Sequence, residues 1–488
     1  MVQISSGHGA GFATKAFDRG GDAQRGRFAV TGRFGRLFPW LRSLRAFEPG
    51  PEALGAVGGP MDGGIPAPAD TSQDNPRIKA GYTFLGQFVD HDLTLDATSI
   101  LEQQIDPFAL VNFRTPALEL DSLYGLGPRV QPHLYEKGTG RLLLGDGGAD
   151  LQRNAEGVAI IGDPRNDENV VVSQLHRLFA RFHNAVYNSL GDTGAQERFE
   201  EAQRIVRWHY QWIVLHEFLP RTVGSRALKW AAAEPFAFDE ERGAYMPLEF
   251  SVAAYRFGHS QVRPGYLLSA PGSQPIRAAA LFPGAVDDPD FTRDLRGGRV
   301  IPEALRVDWA AFFGPDAQAS KLIDTRISTP LLKLPQSVTG DAAPANSLAV
   351  RNLQRGIDAR LPGGQTVAAH LGLEPLSEAQ LWDGVTGGAG EAPLWYYCLR
   401  EAEVRTGGRR LAGLGARIVA RTFLAILTAD KASFLSQDPG WRPHLGAGDG
   451  FTMSDLVNVA LGTSLASEQV SALPGAAPQT APVPEPVA

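Results

Sequence analysis

The stretch Gly86-Gln87-Phe88-Val89-Asp90-His91-Asp92-Leu93-Thr94 decides how this chain is read. On a helix, Gln87 and His91 stand one turn apart and Asp90 stands three residues from Gln87, so these three share a face. Asp92 points away from that face. One turn thereby offers an amide, an imidazole and a carboxylate to a single pocket. A histidine in a core helix is the ordinary alternative, but acids on both sides of a buried histidine would be costly without a use.

Three further segments carry comparable chemistry. Tyr255-Arg256-Phe257-Gly258-His259-Ser260 holds a second histidine, with an arginine before it and a glycine that lets a bulky group approach the backbone. Asp163-Pro164-Arg165-Asn166-Asp167-Glu168 sets Arg165 and Glu168 three residues apart at the head of a predicted helix. Asn352-Leu353-Gln354-Arg355 places an amide near a guanidinium.

The 488 residues suffice for two or three ordinary domains or one large one. With 43% hydrophobic and 20% charged residues, the composition predicts a globular protein with ample apolar material for a core. The formal charge of −7, with no dense Lys/Arg stripe beyond a short cluster at 405–410, argues against a nucleic-acid binder. Cys398 is the sole cysteine, which excludes an intrachain disulfide and a cysteine-built metal site. Residues 1–13 show no basic region followed by an apolar core, so no secretory signal peptide is expected. No apolar run is long enough to span a bilayer; the stretch 416–427 is interrupted by Arg417 and Arg421. Compartment is left open between the cytoplasm and export by another route, and so is the oligomeric state.

Residues 1–75 are rich in Gly, Pro, Asp and Ala and read as an irregular arm wrapping the main body, with one short helix at 37–47. Helical periodicity then dominates at 81–95, 169–190, 195–218, 411–427 and 453–461. Within 169–190, Leu175, Phe179, Phe182 and Val186 form one apolar stripe. The Pro/Ala-rich tail, 466–488, is predicted disordered. The expectation is one large, mainly α domain over 76–465, with long loops and little sheet.

In this order the four segments resemble the animal-type haem peroxidase family, of the peroxidase-cyclooxygenase superfamily. The similarity runs from Gly81 to Leu465, carried by GQ-x-x-DHD and R-x-GH together, and the near absence of cysteine suits a bacterial-type member. The resemblance implies helices sandwiching haem b. His91 then matches the distal acid/base, which takes a proton from the near peroxide oxygen and delivers it to the leaving one, work suited to a neutral imidazole. Arg165 matches the arginine that stabilises the charge developing as the O–O bond breaks; its alternative is a salt bridge with Asp163 or Asp167. Gln87 resembles the glutamine of the distal water and halide site. His259 matches the proximal iron ligand, and Asn352 the partner that fixes its tautomer. Arg256 and Arg355 resemble arginines that meet the haem propionates. Asp90 and Glu168 match the carboxylates that form ester bonds to haem methyl groups, whereas Asn169 stands where a sulfonium link would need methionine.

Asp92 calls for a separate explanation. In Thr115-Pro116-Ala117-Leu118-Glu119-Leu120-Asp121, oxygens recur at every second position: Thr115, the Ala117 carbonyl, Glu119 and Asp121. Such spacing puts oxygens on one side of an extended loop, as a hard cation requires. This resembles the family's calcium loop, with Asp92 as remote ligand, and a charged surface loop is the alternative.

The function implied is a haem peroxidase that reduces hydrogen peroxide through a ferryl intermediate and oxidises a small donor, halides and thiocyanate among the candidates. A fatty-acid dioxygenase of the same superfamily needs a tyrosine three residues before the proximal histidine. That position is Arg256, and Tyr255 is expected on another face. A haem-carrying scaffold or defence protein is the third reading. His216-Glu217 lacks the second histidine of a zinc protease. His176 and His183 read as structural hydrogen-bonding groups, Gly448-Asp449-Gly450 as a single turn, and Cys398 as buried.

Overall fold

Apolar residues spaced three and four apart fold here into helices that share one core. The computed structural model describes residues 32–45, 47–67, 70–95, 111–112, 114–191, 194–238, 243–288, 292–339, 346–446, 448 and 450–465. The predicted tail, 466–488, and residues 1–31 of the predicted arm lie outside them. The main helices are α1 (Ala80–Leu93), α2 (Val170–Ser189), α3 (Ala195–Ile213), α4 (Gly224–Ala233), α5 (Leu348–Asp358), α6 (Leu394–Thr406), α7 (Gly413–Ala429) and α8 (Met453–Leu461). Strands are short: Gly32–Gly35 runs antiparallel to Val111–Asn112 and parallel to Met246–Pro247, and Asp74–Lys79 pairs with Ala319–Lys321. The architecture is mainly α, as the periodicity predicts.

Helix α2 forms for local reasons. Asn169 caps it, its side chain accepting from the backbone N–H of Val171 (2.8 Å) and Val172 (3.4 Å). Its stripe of Leu175, Phe179, Phe182 and Val186 is buried against α1, α3 and α8. Burying each phenylalanine contributes on the order of 2–3 kcal/mol. Phe88 of α1 stacks on Phe179 with ring centroids 4.8 Å apart, which sets the depth at which α1 crosses α2. On its other side α1 packs against the Ala310–Phe313 helix through Gly81, where a Cβ would stand 2.6 Å from the Phe312 carbonyl oxygen. Only glycine permits that approach.

Helix α3 runs into a wider π turn, Val214–Phe218, which carries the buried Glu217. Tyr82 of α1 donates its hydroxyl to Glu217 Oε1 (2.5 Å), and the Met453 backbone N–H of α8 donates to Oε2 (2.8 Å). Glu217 thus fastens three helices together, and His216 stacks on Trp212 with centroids 3.8 Å apart.

The helix predicted at 37–47 is absent. The backbone N–H groups of Leu37 and Phe38 donate instead to the buried Glu249 carboxylate (3.0 and 3.2 Å), and Pro39 interrupts the segment. A short helix starts later, at Pro51–Gly55, with proline where its missing N–H costs nothing. Gly55 meets the body, its carbonyl accepting from Ser347 at the head of α5 (2.5 Å).

Candidate active site

Helix α1 brings Gln87, Asp90 and His91 to the wall of a cavity of about 1040 Å³. Glu168, Arg256 and His259 line the same cavity, so residues distant in sequence converge there. The two histidines belong to different elements: His91 to α1, and His259 to a 3₁₀ helix, Ala254–Gln261.

His91 is held from behind by a residue that spacing does not reveal. Asn166 Oδ1 accepts from His91 Nδ1–H at 2.7 Å, while Asn166 Nδ2 donates to His176 Nδ1 at 3.0 Å. The tautomer follows: His91 Nε2 carries the lone pair, and it lies 3.6 Å from Glu168 Oε1. Gln87 Nε2 donates to that same Glu168 oxygen at 2.6 Å. Burial, aided by the nearby Arg165 charge, pushes the His91 pKa down to about 3, so the ring is neutral and free to accept a proton. Burial likewise raises the Asp90 and Glu168 carboxyls above the usual range, against the opposing pull of Arg165. Neither Asn166 nor His176 has a spacing that marks it, but each is buried and polar, the property that demands a partner.

Arg165 does not line the cavity. Its Nε and Nη2 bond both oxygens of Asp163 (3.1 and 2.8 Å), and Nη2 also donates to the carbonyls of His91 (3.1 Å) and Thr94 (2.5 Å). The salt-bridge alternative describes this placement. The cause is the fully buried Asp163, which also takes Arg114 (2.6 Å). Burial alone would raise that carboxyl, yet the two arginines outweigh it and hold it well below its usual range. Arg165 reaches the site through its field and by fixing the end of α1.

The 3₁₀ geometry of Ala254–Gln261 matters because residues three apart eclipse in it, which sets Arg256 and His259 on one face. Asn352 of α5 joins them: Arg256 Nη1 donates to Asn352 Oδ1 (2.5 Å), and Asn352 Nδ2 lies 2.7 Å from His259 Nδ1. Burial, with Arg256 beside it, brings His259 down to about 3, and its ring is neutral as well. Trp395 Nε1 donates to the Arg256 carbonyl (3.2 Å) and steadies the segment. Arg355 does not line the cavity; Arg351, one turn earlier on α5, does. Tyr255, expected on another face, lines it too, its hydroxyl donating to the Gly86 carbonyl (3.2 Å) and its ring stacked on Phe250 (4.7 Å).

Asp92 faces away from the cavity toward the 115–121 loop. Both its carboxylate oxygens accept backbone N–H groups, from Leu120 (3.0 Å) and Asp121 (2.8 Å). Burial, then the charges of Asp121 and Glu119, push Asp92 up to about 7. Glu119 accepts from the Thr115 hydroxyl, and the Arg207 guanidinium stands 4.0 Å from it. Among the described residues no three His, Cys, Asp or Glu side chains converge as a metal site.

The remaining sequence candidates are structural. His183 sits between the Tyr124 hydroxyl (3.1 Å) and the Gly140 carbonyl (2.9 Å), and Cys398 is buried and unpaired in any disulfide. No helix of the described residues is long and apolar enough to cross a membrane.

Comparison with known proteins agrees with this geometry. The family model for the animal haem peroxidase matches residues 103–386. A peroxidase-like protein of Margaritifera margaritifera is 32% identical over 188 residues, 34% of this chain and 24% of that protein. Thyroid peroxidase of Sus scrofa is 29% identical over 234 residues, 44% of this chain and 23% of that protein. The match thus spans about a quarter of the length of either relative. Among solved structures, peroxidase A from Dictyostelium discoideum shares the fold with a TM-score of 0.60 at 15% identity, covering 84% of this chain and 89% of that one. A fatty acid alpha-dioxygenase from Oryza sativa shares it with a TM-score of 0.53 at 16% identity, covering 75% and 71%. With more than half its length matched and two neutral histidines lining one cavity, the chain belongs to the animal haem peroxidase family.

Proposed function

We propose that the protein is a haem peroxidase that reduces hydrogen peroxide to water and oxidises a small reduced donor, halides and thiocyanate included among the candidates. The observation that carries this reading is the pair of imidazoles, His91 and His259, lining one cavity, each with Nδ1 held by an asparagine. The donor set suits haem b: a neutral imidazole for the iron and arginines Arg256 and Arg351 for the propionates. His259 would hold the iron through Nε2, with the Asn352 amide turned from its present setting so that its oxygen accepts from Nδ1–H. That turn of the amide would free Arg256 from Oδ1 to hold a haem carboxylate. When bound, haem supplies the redox-active iron at which peroxide is split. His91 Nε2 accepts the proton of the near peroxide oxygen and hands it to the leaving oxygen. Gln87 and Glu168 orient the solvent or anion beside it, and Arg165 stabilises developing negative charge from a distance. Asp90 and Glu168, on the cavity wall, are the proposed ester links to haem methyl groups, with peroxide as oxidant. Calcium is proposed at Asp92, Thr115, the Ala117 carbonyl, Glu119 and Asp121, with Asp92 exchanging two backbone amides for the cation.

Protein produced with haem precursor should show a Soret band that shifts on adding peroxide, and His259→Ala should lose most of its haem. A Soret band indifferent to peroxide sinks the reading; unchanged haem content in His259→Ala removes the axial role. Acid-acetone should leave the haem of peroxide-treated protein in place, and free release counts against the esters. A fatty-acid dioxygenase is the second reading, because Tyr255 lines the cavity. Oxygen uptake with linoleate, abolished by Tyr255→Phe, would favour it.

A further inference from the structure

Among the described residues four arginines line the cavity, and they belong to two places in the fold. Arg256 and Arg351 stand with Asn352 and His259. Arg296 and Arg299 stand on a loop whose backbone is tied to the Glu168 segment: Gly297 N–H donates to the Glu168 carbonyl (2.9 Å) and Gly298 N–H to the Asp167 carbonyl (2.7 Å). Asp294 organises that loop. Arg296 clamps both its carboxylate oxygens (2.9 and 3.2 Å), and Arg299 Nη2 donates to its backbone carbonyl (2.9 Å).

Arg299 also faces the Asp294 carboxylate, Nη2 to Oδ1 at 3.4 Å, yet keeps part of its side chain open. Its Nε is buried without a hydrogen-bond partner among the described residues, while 42% of its side chain is exposed. Apolar surface lines the same cavity, at Val158, 55% exposed, and Val338, 50% exposed. The turn bearing Val158 hangs on Arg153, which donates to Gly157 (2.9 Å) and to Asp167 (2.6 Å), the residue that also supports Gly298. Exposed valines and a guanidinium on one cavity suit a molecule with an apolar body and an anionic end. Haem carries its two carboxylates on one edge, so it engages one arginine pair and leaves the other to a second anion.

We propose that Arg299, with Arg296 beside it, anchors the carboxylate of an organic donor whose apolar body lies on Val158 and Val338. This deepens the peroxidase reading and rests on it for turnover, though not for binding. The test compares 4-hydroxyphenylacetate with tyramine, the same phenol bearing opposite charges. In haem-loaded protein treated with peroxide, the carboxylate donor should react about ten- to hundredfold faster, the worth of a charge-assisted hydrogen bond. Arg299→Gln should reduce that preference to within about threefold and weaken calorimetric binding of 4-hydroxyphenylacetate, measured without peroxide, by a similar factor. Arg299→Lys, which keeps the charge and covers the case of a Gln variant that fails to fold, should retain most of the preference. Unchanged preference and binding in Arg299→Gln overturn the proposal. Loss of haem from that variant with the preference intact also overturns it, by assigning Arg299 to a propionate. If the wild-type protein ignores peroxide, the peroxidase reading fails while calorimetry still decides the anion site.

Discussion

Asn166 holds His91 by its inner nitrogen, the carboxamide oxygen lying 2.7 Å from Nδ1, and is itself held by His176 at 3.0 Å. A three-member buried chain thereby decides which His91 nitrogen faces the cavity. Asn166→Ala should preserve haem content and slow the peroxide-dependent Soret change by about 10–100-fold, the usual cost of losing an orienting partner. Stopped-flow spectroscopy measures it, and His176→Gln should move the rate the same way by less. Rates equal to wild type in both variants would show that His91 needs no such support.

The loop beside Glu168 has room for glycine alone. A Cβ at Gly297 would stand 1.7 Å from the Asp167 carbonyl oxygen. Gly297→Ala should therefore cost about 1–3 kcal/mol, as overpacking does, and loosen the segment that carries Glu168. Denaturant titration checks this, and an unshifted midpoint would mean that the loop yields without cost.

Calcium should stabilise the end of α1 through Asp92. Adding it to chelator-treated protein should raise Tm by roughly 2–5 °C, given saturating ion and a chain of this size. Asp92→Asn should abolish the increment. Superimposable melting curves with and without the ion would remove calcium from the account.

Stability should fall with acid in a defined window. Burial brings His176, His183 and His209 down to about 4 from 6.5, so the folded protein refuses protons that the unfolded chain accepts. Their contribution is complete above pH 6.5 and is lost as pH falls toward 4, at about 1.4 kcal/mol per unit of depression for each group. Below the ordinary carboxylate range Asp163, held low by Arg165 and Arg114, adds a further loss. Asp92, pushed up to about 7, acts in the opposite sense in this window, so the histidine part is read by difference: a dependence of unfolding free energy on pH between 7 and 4.5 that is identical in wild type and His183→Gln would contradict this.

Much of the fold was legible in sequence because it is built from local periodicity. The predicted helix at 453–461 is α8 residue for residue, with Thr452 and Asp455 as its capping box, and 169–190 is α2 with Asn169 as cap. Gln87, Asp90 and His91 reach one pocket because a single α turn carries them. The short helix at 37–47 was misplaced because the partner that replaced its intrahelical bonds, Glu249, lies more than two hundred residues away.

By itself, then, the sequence determined a helical chain of this family and picked out the two histidines that line its cavity. Tertiary structure alone decided where the charges went. Arg165 turns to the buried Asp163, Arg351 rather than Arg355 lines the cavity, and Tyr255 lines it as well, its ring stacked on Phe250. The Asn166–His176 support of His91 is of the same kind. A buried polar group must find a partner wherever packing puts one, and local spacing encodes the need but not the partner.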